Sequence, residues 1–215
     1  SPATDLIFSV PCGNFGNVAG GLIAKRLGLP VRKFIVATNE NDEVPRYLRT
    51  GDYEPVSPSR NCISSAMNVG HPSNLARIIS LYGGNMNETG EILKAPDCIR
   101  MRQELFGISV SDKITMETIS SFYRKYGKHL EPHGAVAWHG LQEYLENYAE
   151  DTGKIQLSVS LETAHPAKFR DEISKVRDIK IDLPDSLAKV EHRNEEYLSL
   201  ENNYDLLKKF MMHNY

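Results

Sequence analysis

The sequence predicts an α/β fold, a layered parallel sheet with flanking helices. Two apolar runs, at residues 5–10 and 32–38, have the composition of buried strands, and residues 16–27 between them carry apolar side chains at helical spacing. A third strand is predicted at residues 154–161, after a helix at residues 132–148 that has a proline in its first turn. Because strands alternate with helices and the first connection is short, we expect right-handed parallel crossovers.

The other predicted elements are helices and loops. Residues 54–62 are predicted to be a polar loop, and a helix is expected around residues 99–105. Strand signals vanish between residues 85 and 130, so this stretch is predicted to be a helical excursion from the sheet. No strong domain boundary interrupts the chain. Further helices are predicted at residues 43–50, 74–82, 112–126, 164–176 and 203–212.

Composition and charge argue against several classes of protein. The 25 Lys and Arg residues against 28 Asp and Glu residues give a net charge of −3, without the basic excess of a nucleic-acid-binding protein. No apolar run reaches the roughly 18 residues that a membrane span requires, and no signal peptide is recognisable. The cysteines Cys12, Cys62 and Cys98 are odd in number and widely spaced, which favours free thiols in the cytoplasm over disulfides or a metal site.

Residues 13–17, GNFGN, follow the first predicted strand and open the first predicted helix. Gly13 and Gly16 suit a backbone that approaches a ligand or adopts positive φ, and the asparagines tolerate similar geometry. The unpaired N–H groups of the helix start form an anion site without a basic residue. No Walker lysine follows and the spacing is not G-x-G-x-x-G. A phosphate site and an ordinary turn with an asparagine N-cap both remain open at this point.

Several motifs, in order along the chain, are similar to those of threonine synthases. These enzymes depend on pyridoxal phosphate (PLP) and belong to fold-type II, with tryptophan synthase β chains and threonine dehydratases. Each motif is modest by itself, but their order along residues 8–185 is specific. They are PCGNFGN at residues 11–17, AKRLGLP at 24–30, IVATNEND at 35–42, residues 48–53, SSAMNV at 64–69, EPHGAVA at 131–137 and TAHPAKF at 163–169.

The resemblance implies a cofactor site and a reaction. In that family the G-N-F-G segment binds the PLP phosphate, and a Thr or Ser at the position of Thr163 meets the pyridine nitrogen. The reaction converts O-phosphohomoserine and water to L-threonine and phosphate. Ser64, Ser65 and Asn68 precede a predicted helix and are expected either to cap it or to line the substrate side. The cofactor-binding residues implied are Gly13, Asn14, Phe15, Gly16, Asn17 and Thr163.

The resemblance also implies a missing part. The lysine that forms the Schiff base with PLP lies, in that family, in a motif upstream of the G-N-F-G loop, and no lysine of this chain matches it. The chain begins at Ser1 without a methionine and enters a strand almost at once. We therefore expect residues 1–215 to be the C-terminal part of the PLP-dependent catalytic domain, with no catalytic residue of its own. The N-terminal remainder of the same enzyme is the expected partner, and the fragment alone is expected to be inactive.

Alternative interpretations of these residues remain open. Another fold-type II enzyme, a dehydratase or a sulfhydrylase, has related motifs, and a non-catalytic phosphate-binding module needs only the first turn. Thr163 is also a plausible helix N-cap, because Pro166 follows in the first turn. A hydrolase that uses Cys12 with a histidine is a more distant alternative, since packing under the loop explains the thiol as well. The histidines lack metal-ligand spacing, so structural hydrogen bonds are expected of them.

Overall fold

The computed structural model describes residues 4–149, 155–175 and 181–214. The chain divides into two compact units, residues 1–181 and residues 182–215. The first unit contains all the strands that the structure describes. The sequence itself indicates no such boundary.

The main sheet has four parallel strands in the order β5-β2-β1-β6, which confirms the predicted fold class. β1 (Thr4–Pro11) and β2 (Val31–Thr38) match the predicted strands within one or two residues. β6 (Ile155–Ser160) lies next to β1, and β5 (Leu105–Ser109) lies next to β2. Because all four strands run in the same direction, their carboxyl ends lie along one edge of the sheet.

Helices cover both faces of this sheet. Side chains alternate along each strand, so that Ile7 and Ile35 pack towards α6 (Pro132–Asn147), whereas Val10 and Val36 pack on the opposite face. The opposite face is covered by α1 (Gly16–Arg26) and α3 (Asn74–Leu81), whose buried aliphatic side chains belong to the same cluster as Val10. The strands are therefore buried on both sides, as their nearly continuous apolar sequence predicts.

The remaining elements of the first unit surround these layers. Left-handed glycines end two of the predicted helices, with φ of 89° at Gly51 and 61° at Gly127. α5 packs against α6. The elements are α2 (Glu43–Thr50), β3 (Asn85–Met86), β4 (Ile92–Lys94), α4 (Cys98–Glu104) and α5 (Asp112–Tyr126), and β3 pairs with β4 as an antiparallel hairpin.

Two predictions of secondary structure are wrong. Residues 85–130 were expected to lack strands, but they contain the β3–β4 hairpin and β5, which joins the main sheet; this stretch is not only a helical excursion. The helix expected over residues 164–176 is broken: a 3₁₀ turn at Pro166–Phe169 precedes a short α7 (Arg170–Ile173), and Val176 lies outside the described residues. Pro166 and the His165 cap favour the tight turn over a regular helix at this point.

The second unit contains two helices, α8 (Asp185–Glu191) and α9 (Tyr204–Asn214). The second was predicted at residues 203–212, and the first was not predicted. Neither helix buries a residue, and the charged stretch between them is exposed. Among the described residues, none of the helices combines the length and the hydropathy needed to cross a membrane.

Candidate functional site at the carboxyl edge of the sheet

The loop that follows β1 and the turn that follows β6 are neighbours because the two strands pair directly. Ser9 pairs with Ser160, and the amide of Leu161 donates to the Ser9 carbonyl at 3.0 Å. Thr163 is therefore brought next to residues 12–17. Ligands of α/β folds bind at this edge of a parallel sheet, so the position itself indicates a binding site.

One cavity joins the two segments. Its volume is about 200 Å³, and its walls include residues 10–18, Ala66, Met67, His133 and Thr163. All the residues predicted to bind a cofactor line this cavity, both those of the loop at 13–17 and Thr163. Their role in binding stays a prediction.

The backbone of the loop adopts its unusual conformation at Phe15. Phe15 is the N-cap of α1 and has φ 61° and ψ 15°; among the described residues it is the single non-glycine with positive φ. Gly13 and Gly16 do not adopt positive φ, so the other role expected of them, a close approach of the backbone to a ligand, is the one that stays a prediction. Phe15 as a residue is 3% exposed and packs in the main core, which stabilises a backbone conformation that is costly for this residue.

The start of α1 is uncapped. No described side chain bonds to the free N–H groups of its first turn, and the first amide of this region with a backbone partner is Ala19, which donates to the Phe15 carbonyl at 3.0 Å. Among the described residues, nothing accepts a hydrogen bond from the main-chain amides of residues 13–18. Amides of this kind, together with the positive end of the helix dipole, are a site for an anion.

The asparagines of the loop do not act as N-caps. The Oδ1 of Asn14 accepts from the amide and the hydroxyl of Ser73, at 2.7 and 3.1 Å, and the Asn14 carbonyl accepts from the Asn74 amide group at 2.8 Å. Asn14 therefore ties the loop to the start of α3. Asn17 is exposed. The alternative of an ordinary turn capped by asparagine does not describe this helix start.

Residues 64–68 form a supporting turn beside the loop. Ser64 is fully buried, and its hydroxyl accepts from the Asn39 side chain at 3.2 Å, which also donates to Asn68 at 2.9 Å. The wall of the cavity is formed here by Ala66 and Met67. Ser64 and Asn68 serve this hydrogen-bond network, Ser65 is exposed, and their assignment to the substrate stays a prediction.

His133 is a cavity residue that the sequence interpretation did not select. It is 3% exposed, on the first turn of α6, where its Nδ1 bonds to a carboxylate oxygen of the fully buried Glu131. Its Nε2 accepts from the Ala66 amide at 3.1 Å, so the ring has its proton on Nδ1. The expectation of structural hydrogen bonds is confirmed for this histidine. The sequence signal was a histidine directly after a Glu-Pro helix start.

The turn that carries Thr163 is held through its neighbour Glu162. The Oε1 of Glu162 accepts from the Glu131 amide at 3.0 Å. Glu162 is exposed as a residue, but its carboxylate lies against the start of α6. This desolvation raises the pKa of Glu162 to about 7, the bond from the Glu131 amide lowers it, and the nearby Glu131 carboxylate adds a smaller rise. The cap of the following 3₁₀ turn is His165, whose Nδ1 accepts from Ala167, so Thr163 is not a helix N-cap.

Cys12 is a packing residue. It is 2% exposed, its Sγ donates to the Val10 carbonyl at 3.1 Å, and it belongs to the main core. Burial raises the pKa of the Cys12 thiol far above its ordinary value. A bond to the backbone of Ala37 lowers this pKa, but by less. A neutral, buried thiol is not a nucleophile, so the cysteine hydrolase is not supported.

Two other features lie outside this cavity. Side-chain ligand atoms of Glu40, Cys62 and Asp112 lie within 4.8 Å of one another, the one such cluster among the described residues, and Asp112 already accepts from the Ile63 amide. A larger cavity of about 680 Å³ borders α1, α3 and β3. Neither feature contains a residue predicted to bind the cofactor.

Comparisons with known proteins identify the family. A family model described as the C-terminal region of threonine synthase matches residues 135–211. The threonine synthase of Buchnera aphidicola subsp. Schizaphis graminum is 37% identical over 211 residues, which is 97% of this chain. A crystal structure of threonine synthase from Escherichia coli aligns with a TM-score of 0.80 and 34% identity over 100% of this chain. This chain belongs to the threonine synthase family.

The relatives are longer than this chain. It spans 43% of the Buchnera threonine synthase and 45% of the Escherichia coli structure. A PLP-bound threonine synthase from Brucella melitensis aligns with a TM-score of 0.77 and 29% identity, over 97% of this chain and 46% of that one. The match therefore concerns somewhat less than half of a threonine synthase.

Proposed function

We propose that the cavity between the 13–17 loop and Thr163 binds PLP, and that the chain is the C-terminal part of a threonine synthase. The reaction is the conversion of O-phosphohomoserine and water to L-threonine and phosphate. The observation that carries the proposal is that the loop with the unpaired amides and Thr163 border one cavity. A cofactor with a phosphate at one end and a ring nitrogen at the other fits such a pair of contacts.

The loop is the proposed holder of the phosphate. The amides of residues 13–18 have no competing acceptor among the described residues, and the uncapped start of α1 adds the helix dipole. Gly16 leaves room beside the loop, since the nearest atom to a Cβ built there is 3.7 Å away. Asn14 takes part through its amide, because its side chain is bound to Ser73.

Thr163 is the proposed partner of the ring nitrogen. Its hydroxyl has no hydrogen-bond partner in the part of the chain that the structure describes. A hydroxyl can donate to an unprotonated ring nitrogen, whereas a carboxylate there would favour a protonated one. When it is bound, PLP supplies the electron sink that stabilises carbanions of an amino-acid substrate.

The described cavity supplies orientation rather than proton transfer. No lysine lines it among the described residues, and both ring nitrogens of His133 are already hydrogen-bonded, to the Ala66 amide and to Glu131. We therefore infer that the lysine that carries PLP and moves protons belongs to an N-terminal remainder of the same enzyme. The cavity of about 200 Å³ is smaller than the ~300–1,000 Å³ of typical ligand sites, which agrees with a site that is only partly formed by these residues.

The test is an assay of the complete protein encoded by the natural gene. We expect release of phosphate from O-phosphohomoserine together with equimolar threonine, and no release by the 215-residue chain alone. Deamination of threonine or serine in place of this reaction would point to a dehydratase. Borohydride reduction of the 215-residue chain with PLP, followed by peptide mass analysis, should label no lysine stoichiometrically; one fully labelled lysine would contradict the proposal of an upstream lysine.

A further inference from the structure

The first turn of α6 contacts both segments that border the cavity. Glu131 is the N-cap, and its carboxylate accepts from the amides of Gly134 and His133, each at 2.8 Å. Pro132 occupies the first position of the helix, where a missing N–H costs nothing. With both carboxylate oxygens engaged and no exposed surface, Glu131 holds this turn in one conformation.

His133 extends this turn towards the phosphate loop. Glu131 accepts from its Nδ1, which leaves Nε2 as the acceptor for the Ala66 amide. The turn that Ala66 belongs to lies directly against Gly13: a Cβ on Gly13 would be 2.9 Å from the Ala66 carbonyl oxygen and 2.8 Å from the Met67 Cα. The main chain of the loop therefore rests on a turn whose position depends on His133.

Glu162 connects the same helix start to the other side of the cavity. Its Oε1 accepts from the Glu131 amide, and its carboxylate lies so close to Gly134 that a Cβ on Gly134 would overlap Oε2. Thr163 is the next residue. The position of its hydroxyl therefore depends on a contact with the same turn that supports the loop.

We propose that the first turn of α6 sets the separation between the 13–17 loop and Thr163, with His133 and Glu162 as positioning residues for the two ends of the cofactor. This inference rests on the proposed PLP site. A rigid ligand held at two ends is sensitive to the distance between them, and errors of about 1 Å in such sites reduce function by up to ~100-fold. Neither side chain needs to touch the ligand to have this effect.

The test uses two ligands that differ in the contacts they require. Inorganic phosphate needs only the loop, whereas pyridoxine 5′-phosphate needs the loop and Thr163 and has no aldehyde that could react with a lysine. Affinities for both are measured by titration calorimetry on the complete encoded protein after PLP has been removed by dialysis against hydroxylamine, with circular dichroism to confirm folding. Wild-type protein should prefer pyridoxine 5′-phosphate over phosphate.

The Glu162 variants separate the two ends. Glu162→Met keeps the size of the side chain but removes the acceptor for the Glu131 amide, whereas Glu162→Gln keeps an acceptor oxygen. We expect Glu162→Met to bind phosphate within twofold of wild type but pyridoxine 5′-phosphate at least tenfold more weakly, and Glu162→Gln to retain both affinities within threefold. Equal losses for both ligands in a folded Glu162→Met protein, or no loss, would overturn the inference.

The His133 variants address the loop side. A Gln side chain is long enough to place its oxygen near the position of the His133 Nε2, where it can accept from Ala66. An Asn side chain reaches only the position of Nδ1. We expect His133→Gln to retain phosphate affinity within threefold and His133→Asn to lose at least tenfold. The reverse order, or equal losses in the two variants, would contradict the positioning role. If wild-type protein binds phosphate without preferring pyridoxine 5′-phosphate, the proposed function itself fails, and this inference with it.

Discussion

A Cβ atom on Gly13 would lie 2.8 Å from the Cα of Met67, a distance that side chains in proteins do not adopt. The obstructing atoms belong to the main chain of the 65–67 turn, so they cannot rotate away as a flexible side chain would. We expect Gly13→Ala to lower the free energy of unfolding by about 1–3 kcal/mol, as overpacking does. Gly16→Ala is the matched control, since its Cβ would meet nothing closer than 3.7 Å. Equal effects of the two substitutions on urea unfolding would contradict this account.

The side chain of Asn14 should contribute to stability through its acceptor oxygen. Removing the two bonds from Ser73 in Asn14→Ala leaves the start of α3 without that partner, and we expect a loss of about 1 kcal/mol in the free energy of unfolding. Asn14→Asp retains an acceptor oxygen and should keep the stability but weaken phosphate binding by charge repulsion. Asn17→Ala is the control, because an exposed change of this kind is expected within about 0.5 kcal/mol. Calorimetry and urea titration of the three proteins measure both effects.

Glu43 should make stability depend on pH. It is 1% exposed, neither carboxylate oxygen has a hydrogen-bond partner among the residues that the structure describes, and burial raises its pKa from 4.5 to about 7. Because the folded state favours the protonated acid, the penalty is absent below pH 4.5, grows between pH 4.5 and 7 and is complete above. Relative to Glu43→Gln, wild type should lose on the order of 3 kcal/mol of unfolding free energy across this range.

The control for Glu43 is Glu54→Gln, at a position whose side chain is 83% exposed. Its unfolding free energy should follow that of wild type at every pH. A constant difference between wild type and Glu43→Gln from pH 4 to pH 8 would show that the Glu43 carboxylate is not desolvated.

Alkylation should distinguish the three cysteines. Cys12 and Cys62 are buried and burial raises the pKa of both thiols, whereas Cys98 is partly exposed. Brief treatment of the folded protein with iodoacetamide at pH 8 should modify Cys98 first, as read by peptide mass analysis, and unfolded protein should react at all three. If Cys12 were modified as fast as Cys98 in the folded protein, Cys12 would be accessible and reactive, and the hydrolase that uses it as a nucleophile would again be supported.

The order of strands and helices near the N-terminus was predictable because its signals are local. The runs that became β1 and β2 are apolar and bounded by Pro11 and the polar residues after Thr38, and Gly16–Arg26 has clear helical spacing. β5 was missed for the opposite reason. Leu105 follows the last residue of α4 without a turn residue between them, and the strand exists by pairing with Phe34 and its neighbours, about seventy residues earlier.

The two segments that border the candidate site were predictable from the sequence, but the contacts that hold them in place were not. The loop and Thr163 were selected from sequence, and the structure brings them to one cavity. The left-handed residue was not predictable, because glycine and asparagine adopt that conformation more readily than Phe15 does, and only the buried ring explains it. The contact of His133 with Ala66 joins positions 67 residues apart, and it depends on how α6 docks.

The uncapped start of α1 has a thermodynamic consequence. A helix start that has no capping hydrogen bond is less stable by about 1 kcal/mol, and an anion bound to the free amides would restore that stability. Whatever binds only the folded state shifts the unfolding equilibrium in proportion to its concentration. The melting temperature of this protein should therefore be higher in a phosphate buffer than in a chloride buffer of equal ionic strength, so that its thermal stability depends on which anion the solution contains.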